Sequence, residues 1–104
     1  MKNKVNLKKV SDVVAEVLIE EKVSHVFAIS GGASLHLIHS LADNKNIQYI
    51  CNHNEQACAM AADGYSRVSG KTGVAVTTSG PGATNLITGI CCSYYCLLYT
   101  SPSP

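Results

Sequence analysis

Hydrophobic and polar residues along this chain alternate between two spacings. Apolar residues at helical spacing occur over residues 9–21, after residue 34, over residues 55–69 and again after residue 85. Nearly all-apolar runs lie between them at residues 25–29, 47–51 and 74–78, and such runs suit strands that are covered on both faces. The predicted helix faces are Val10, Val13, Val14, Val17 and Leu18 in the first helix, and Ala57, Met60, Ala61, Tyr65 and Val68 in the third.

The regular alternation of helix and strand, with short connections, predicts the fold class. It indicates an α/β protein with a parallel sheet, right-handed crossovers and helices on both faces. Three strands are few for such a sheet, and no strand follows the last helix. We therefore expect only part of a parallel sheet with flanking helices, in an incomplete domain over residues 1–95.

The stretch 96–104 differs from the rest of the chain. It has no hydrophobic period, and it ends in two prolines that neither a helix nor a central strand accepts. Either it is a native exposed tail, or it is a string of the kind that adapter read-through leaves in fragmentary assemblies. We favour the second interpretation and leave residues 96–104 out of the functional argument.

Composition narrows the classes of function. The chain has 104 residues, which is enough for one small domain, and 46% of them are hydrophobic. A formal charge of +1, one Phe and no Trp argue against nucleic acid and against an anionic membrane. The first residues lack the apolar core of a secretion signal, so we predict a cytoplasmic location. The five cysteines should then be reduced thiols, most of them small buried hydrophobes.

Candidate chemistry lies in the loops that follow the three predicted strands. The carboxyl ends of parallel strands share one edge of the sheet, which is where ligands bind in open α/β folds. The first loop has Gly31 and Gly32 for close backbone approach, and the second brings Glu55 to a helix start. The third loop, 79–85, combines a Gly-Pro-Gly turn with the amide of Asn85.

Each of these signals also has an ordinary structural explanation. A Gly-Gly pair can be a tight turn, and an acidic residue or an asparagine at a helix start can be a cap. His53 either faces the cleft or merely ends its strand. His36 and His39 have a spacing that can chelate a metal, but no third ligand is evident, so we predict no metal site.

Four blocks of sequence carry a resemblance to a known family. They occur in the order VFA with GGA at 26–33, NEQA at 54–57, AADGYSR at 61–67 and TSGPGATN at 78–85. Residues 5–95 resemble the N-terminal pyrimidine-binding domain of the acetolactate synthase and pyruvate oxidase family of thiamine diphosphate enzymes. The resemblance covers roughly the first half of that domain.

The resemblance implies a catalytic role for Glu55. Its carboxyl would hydrogen-bond the pyrimidine nitrogen opposite the amino group and favour the imino tautomer, which then deprotonates the thiazolium carbon to the ylide. We expect the apolar surroundings of Glu55 to raise its pKa. By the same resemblance, Gly32 and Ala33 lie near the pyrimidine, while Pro81 and Asn85 line its pocket or the dimer contact.

The resemblance also implies the cofactors and the partners. The cofactor would be thiamine diphosphate with magnesium, the metal being held by a C-terminal domain of the parent enzyme. The substrate would be a 2-oxoacid, and the parent would be a homodimer or homotetramer of the lyase or transferase class, this chain alone being inactive. The stretch 56–60 also resembles thiamine diphosphate enzymes of nucleotide-sugar and polysaccharide biosynthesis, which is one alternative.

Two further alternatives concern the chain itself. A non-catalytic nucleotide-binding α/β module would need Gly-x-Gly-x-x-Gly after the first strand and an acidic residue at the end of the second. The chain has Ser30-Gly31-Gly32-Ala33-Ser34 and Cys51-Asn52 at these places. The last alternative is that the isolated chain, with an incomplete sheet, does not fold stably and associates.

Overall fold

A computed structural model describes residues 6–95 of the chain, with four helices and three strands in strict alternation. A short 3-10 turn, Gly32–Ser34, leads into the second helix. The helices are α1 (Val10–Glu20), α2 (Leu35–Ala42), α3 (Glu55–Ser69) and α4 (Pro81–Tyr95), and the strands are β1 (His25–Ala28), β2 (Gln48–Cys51) and β3 (Val74–Val76).

The three strands form one parallel sheet in the order β2-β1-β3, so the first strand lies in the middle. Ala28, the last residue of β1, pairs with Cys51 on one side and Val76 on the other. All three strands therefore end at the same level. The predicted α/β class with a partial parallel sheet is confirmed.

One face of the sheet carries the main hydrophobic core. Val26 and Ala28 of β1 are fully buried there, and α1 and α2 cover them. Ser40 on α2 ties the two helices together, since its hydroxyl donates to Asp12 Oδ1 on α1 at 2.6 Å. The core consists of Ala15, Val23, Val26, Ala28, Ile38, Leu41, Ile47 and Val76.

Helices α3 and α4 cover the other face. The ring of Tyr65 on α3 meets Phe27 of β1 edge-on, with 6.0 Å between the ring centroids. Gly89 on α4 faces Ala59 on α3 so closely that a Cβ added at Gly89 would overlap with the Ala59 Cβ. The two helices thus pack with almost no side chain between them at this point.

The predicted apolar face of α1 is wrong. Val10, Val13, Val14 and Val17 are exposed, and the buried residue of this helix is Ala15. The side of α1 that meets α2 carries Asp12, which accepts a hydrogen bond from Ser40, while Glu16 and Glu20 stay exposed. The valines form an apolar stripe on the surface.

The predicted stripe of α3 is only partly right: Tyr65 packs on Phe27 of β1, but most of the other stripe residues are not buried. Val68 is 91% exposed and Met60 is 43% exposed, whereas Cys58, Ala59 and Ala62 are buried. Because α3 fits between the sheet and α4, its buried side has room only for small side chains. Alanines occur on several sides of this helix, so hydropathy alone does not show which side of the helix is buried.

The remaining sequence predictions concern the ends of the elements and the tail. Gly70 ends α3 as predicted, in the left-handed conformation that glycine adopts without strain. The predicted tail, 96–104, lies outside the described residues. Within residues 6–95, no helix is long and apolar enough to cross a membrane.

The contact between Ala59 and Gly89 can be tested by a matched pair of substitutions. Gly89→Ala forces α3 and α4 apart, and we expect a loss of about 1–3 kcal/mol in the free energy of unfolding. Gly64→Ala on α3 adds a methyl group to open space and should stabilise the helix by about 0.5–1 kcal/mol. Urea denaturation of the two variants measures both values. Equal stabilities would contradict the packing described here.

Candidate functional site

Three loops meet at the carboxyl edge of the sheet. They are residues 29–34 after β1, 52–54 after β2 and 77–80 after β3. Because the strands are parallel, the helices that follow these loops all begin at this edge, which is the ligand-binding edge of open α/β sheets. Glu55 begins α3 at this edge and lies beside the start of α4, whereas its predicted placement beside the Gly32 loop stays a prediction.

Thr78 is the point at which the first and third loops touch. A Cβ added at Gly31 would overlap with the Thr78 side chain, and one added at Gly82 would lie 2.8 Å from the Thr78 methyl carbon. Glycine at position 31 therefore lets the first loop approach Thr78 this closely, and glycine at position 82 lets α4 begin directly against Thr78. The sequence analysis missed Thr78, although its position between two glycine turns was a usable signal.

The start of α4 follows from a short run of turn residues. Gly80 has a φ of 69°, in the left-handed region of the backbone that residues other than glycine rarely adopt. Pro81 is the first helical residue, where its missing N–H costs no hydrogen bond. The Thr84 hydroxyl donates to the Gly80 carbonyl at 3.0 Å. These residues fix the direction in which α4 leaves the sheet.

The start of α3 is fixed by a side-chain cap. The Asn54 side chain accepts a hydrogen bond from the Gln56 backbone N–H at 2.9 Å, as an N-cap residue does. Glu55 is therefore the first residue of α3 and stands beside unpaired backbone N–H groups. Its own backbone N–H and the positive end of the helix both favour the ionised carboxylate.

The central contact of the site joins α3 to α4. The Asn85 side-chain nitrogen, Nδ2, donates to Glu55 Oε2 at 2.7 Å. The second carboxylate oxygen, Oε1, lies 3.5 Å from the position that a Cβ on Gly82 would take. One oxygen of Glu55 is thus held by an amide, and the other lies against a residue without a side chain.

This contact decides between the two interpretations of Asn85. The helix begins at Pro81, so Asn85 lies one turn inside α4, beyond the capping position. Its amide donates to a carboxylate and does not accept from the helix backbone. The interpretation of Asn85 as a helix cap is therefore wrong.

The pKa of Glu55 departs from the sequence-based expectation. Its hydrogen bond from Asn85, followed by that from its own backbone N–H, lowers the pKa, and a weaker effect of burial opposes them. The expected raised pKa is thus wrong for this chain, since polar donors and not apolar groups surround the carboxylate. A lowered pKa means that the ionised form stabilises the fold, an effect lost as the pH falls through that pKa.

The other predicted cofactor-binding residues lie on the adjacent loops. Gly32 and Ala33 are exposed in the turn before α2, and a Cβ added at Gly32 would meet nothing within 4 Å. Pro81 is exposed at the first position of α4. The structure thus brings Glu55 and Asn85 into direct contact and leaves the other three exposed on the loops and the helix start of the same sheet edge.

The histidines and cysteines do not form a further site at this edge. His39 pairs with Asp43 at 3.2 Å. Of the cysteines in residues 6–95, Cys58 is buried, whereas Cys51, Cys91 and Cys92 are exposed, so the expectation that most are buried is wrong. In the same part of the chain no three His, Cys, Asp or Glu residues are grouped as metal ligands.

A cavity of about 550 Å³ lies away from the three loops, between α3, α4 and β3. Its lining includes Ala62, Ala75 and Gly89, and it contains neither Glu55 nor Asn85. We place the candidate site at the loops because the hydrogen-bonded carboxylate lies there. The volume of the groove alone identifies no chemistry.

An open parallel α/β sheet with a held carboxylate at its carboxyl edge defines a cofactor-binding class of protein. Residues 8–96 match the family described as "Thiamine pyrophosphate enzyme, N-terminal TPP binding domain". The chain belongs to this family. Membership favours the binding of thiamine diphosphate over the alternative of a nucleotide-binding module.

Relatives with the name acetolactate synthase match most of the chain. The large subunit from Buchnera aphidicola (strain APS) is 46% identical over 81% of the chain and 15% of the relative. The isozyme 2 large subunit from Escherichia coli is 49% identical over 74% of the chain and 14% of the relative. The chloroplastic enzyme from Arabidopsis thaliana is 42% identical over 80% of the chain and 12% of the relative. The chain therefore spans less than a sixth of the length of these relatives.

The residues at the loops fit an aminopyrimidine. A carboxylate such as that of Glu55 is of the kind that could accept from or donate to a ring nitrogen, and a Cβ added at Gly32 would meet nothing within 4 Å. Asn52 Oδ1, at the end of β2, is buried without a hydrogen-bond partner among residues 6–95. That oxygen is a second acceptor beside the site, and the sequence analysis did not identify it.

The packing of the first loop on Thr78 is tested by two neighbouring glycines. We expect Gly31→Ala to lower the free energy of unfolding by about 1–3 kcal/mol, because its Cβ meets the Thr78 Cβ, which cannot rotate away. Gly32→Ala adds its methyl to open space and should change stability by less than about 0.5 kcal/mol. Urea denaturation measures both. A similar loss in the two variants would show that the loops do not approach at Thr78.

Proposed function

We propose that this chain supplies the aminopyrimidine half of a thiamine diphosphate site in an acetolactate synthase-like enzyme that acts on 2-oxoacids. The observation that supports it is the Glu55 carboxylate, held by Asn85 where the three loops meet. Bound thiamine diphosphate supplies the electron sink for bond cleavage and formation at a carbonyl carbon. The relatives, all named acetolactate synthases, support this substrate class over nucleotide-sugar chemistry.

In this proposal Glu55 exchanges a proton with the pyrimidine nitrogen opposite the amino group. A carboxylate at the first turn of a helix is a good acceptor, and Oε1 does not receive the Asn85 hydrogen bond. Gly32 and Ala33 would border one side of the ring, and Pro81 would border the other. Each of these residues is exposed at the same edge of the sheet.

The remaining parts of the proposal concern the whole enzyme. Magnesium and the diphosphate would be held by residues outside this domain, and the enzyme would be a homodimer or homotetramer of the lyase or transferase class. By itself the 104-residue chain would then be inactive. The cytoplasmic location also stays a prediction, since the relative from Arabidopsis is named chloroplastic.

The test of Glu55 uses a chimera. Residues 8–95 of this chain replace the corresponding segment of the Escherichia coli isozyme 2 large subunit. We expect Glu55→Gln to lower turnover of a 2-oxoacid by about a hundred- to ten-thousandfold, because Gln keeps the size but exchanges no proton. Affinity for thiamine diphosphate, measured by calorimetry, should change little.

The matched control is Glu20→Gln, which makes the same chemical change at an exposed position of α1. It should leave turnover and cofactor affinity unchanged. If Glu55→Gln had the turnover of the unmodified chimera, Glu55 would be only a residue of the first helical turn, and the proposed function would be wrong.

A further inference from the structure

The hydrogen bond between Asn85 and Glu55 is asymmetric. Nδ2 of Asn85 donates at 2.7 Å to Oε2, and no second side chain among residues 6–95 donates a hydrogen bond to this carboxylate. A Cβ on Gly82 would lie 3.5 Å from Oε1, in van der Waals contact with this oxygen. The glycine therefore keeps Oε1 uncovered on the side of α4.

We propose that Asn85 is a positioning residue, whose amide holds Oε2 of Glu55 so that Oε1 is presented to the aminopyrimidine. This inference rests on the proposed function. In this proposal Asn85 affects the reaction by holding Glu55 in place, and it does not itself contact the cofactor. Gly82 takes part by leaving room for the presented oxygen.

The charges around Glu55 support this role. From α3, the titratable neighbour is Cys58, whose pKa is raised by its burial and then by the charge of Glu55. His53 is exposed in the loop before α3. The first turn of α4 carries no acidic residue, and the turns 31–34 and 77–80 contain no titratable side chain. The Asn85 amide is thus the main influence on the ionisation of Glu55, and it favours the carboxylate.

A purely structural role for the same bond is the competing explanation. Helices α3 and α4 already pack through Ala59 and Gly89, and the bond between Glu55 and Asn85 is exposed. Its loss should therefore leave the two helices in place. A structural role predicts that substitutions at Asn85 change stability, whereas a positioning role predicts that they change the titration of Glu55.

The first test is a titration of the 104-residue chain by nuclear magnetic resonance, with the Glu55 carboxyl carbon as the probe. Asn85→Ala removes the donor and should raise the pKa of Glu55. Asn85→Asp replaces the amide donor by a carboxylate with the same charge as Glu55 and should raise that pKa further. Thr88→Ala, at an exposed position on α4, is the control and should leave the titration unchanged. An unchanged Glu55 titration in both Asn85 variants would overturn the proposal.

The second test measures the pH dependence of turnover in the chimera described above. If ionised Glu55 is required, Asn85→Ala should move the acid limb of the profile to higher pH by as much as the pKa of Glu55 rises. At a fixed pH on that limb, turnover should fall about tenfold if the pKa rises by about 1. Asn85→Gln keeps a donor and should restore part of the original profile.

The two tests separate this inference from the proposed function. Loss of turnover in Glu55→Gln, together with an unmoved acid limb in Asn85→Ala, would leave the proposed function standing and overturn the positioning role. Full turnover in Glu55→Gln would overturn the proposed function itself. A displaced limb with partial recovery in Asn85→Gln would support both.

Discussion

The close approach of two loops around Thr78 is the constraint on which the candidate site depends. Parallel strands place three helix starts at one edge, but they do not determine how far apart these starts lie. Gly31 packs directly on Thr78, so a methyl group there would separate the first loop from the third, and Gly82 leaves room for both Thr78 and Glu55 Oε1. With a glycine at position 82, the start of α4 lies close to Glu55, and Asn85 reaches its carboxylate.

A second close approach continues the same arrangement along the helices. Gly89 lies against Ala59, and the buried side of α3 consists of small residues. Two helices that pack without large side chains have little freedom to rotate against each other, because interiors are close-packed. The relative position of Glu55 and Asn85, on two different helices, is therefore set by the packing below them as well as by their own hydrogen bond.

The sequence predicted the features that follow from local pattern. Helix and strand alternation predicted the parallel sheet, and the same alternation predicted that Glu55 lies at a helix start on the carboxyl edge. It did not predict which side of α1 or α3 is buried. Asp12 turns towards Ser40 through a hydrogen bond between helices, and α3 selects its small residues to fit against α4. Which side of a helix is buried thus depends on contacts with segments distant in sequence. The hydropathy pattern of the helix alone carries no information about those contacts.

The ionisation of Glu55 could not be predicted for the same reason. The alanines and Met60 that follow Glu55 on α3 suggested a raised pKa, but the deciding group is Asn85, thirty residues away. The described residues thus determine where the carboxylate points and favour its ionised form. Under the proposed function, a proton shared between Glu55 and an aminopyrimidine would be stabilised further by the ring nitrogen and by the loss of water when the ring covers the carboxylate. Asn85 and the packing of α3 on α4 would then set the geometry of the exchange and the ionisation of the free carboxylate, and ligand binding would shift that ionisation.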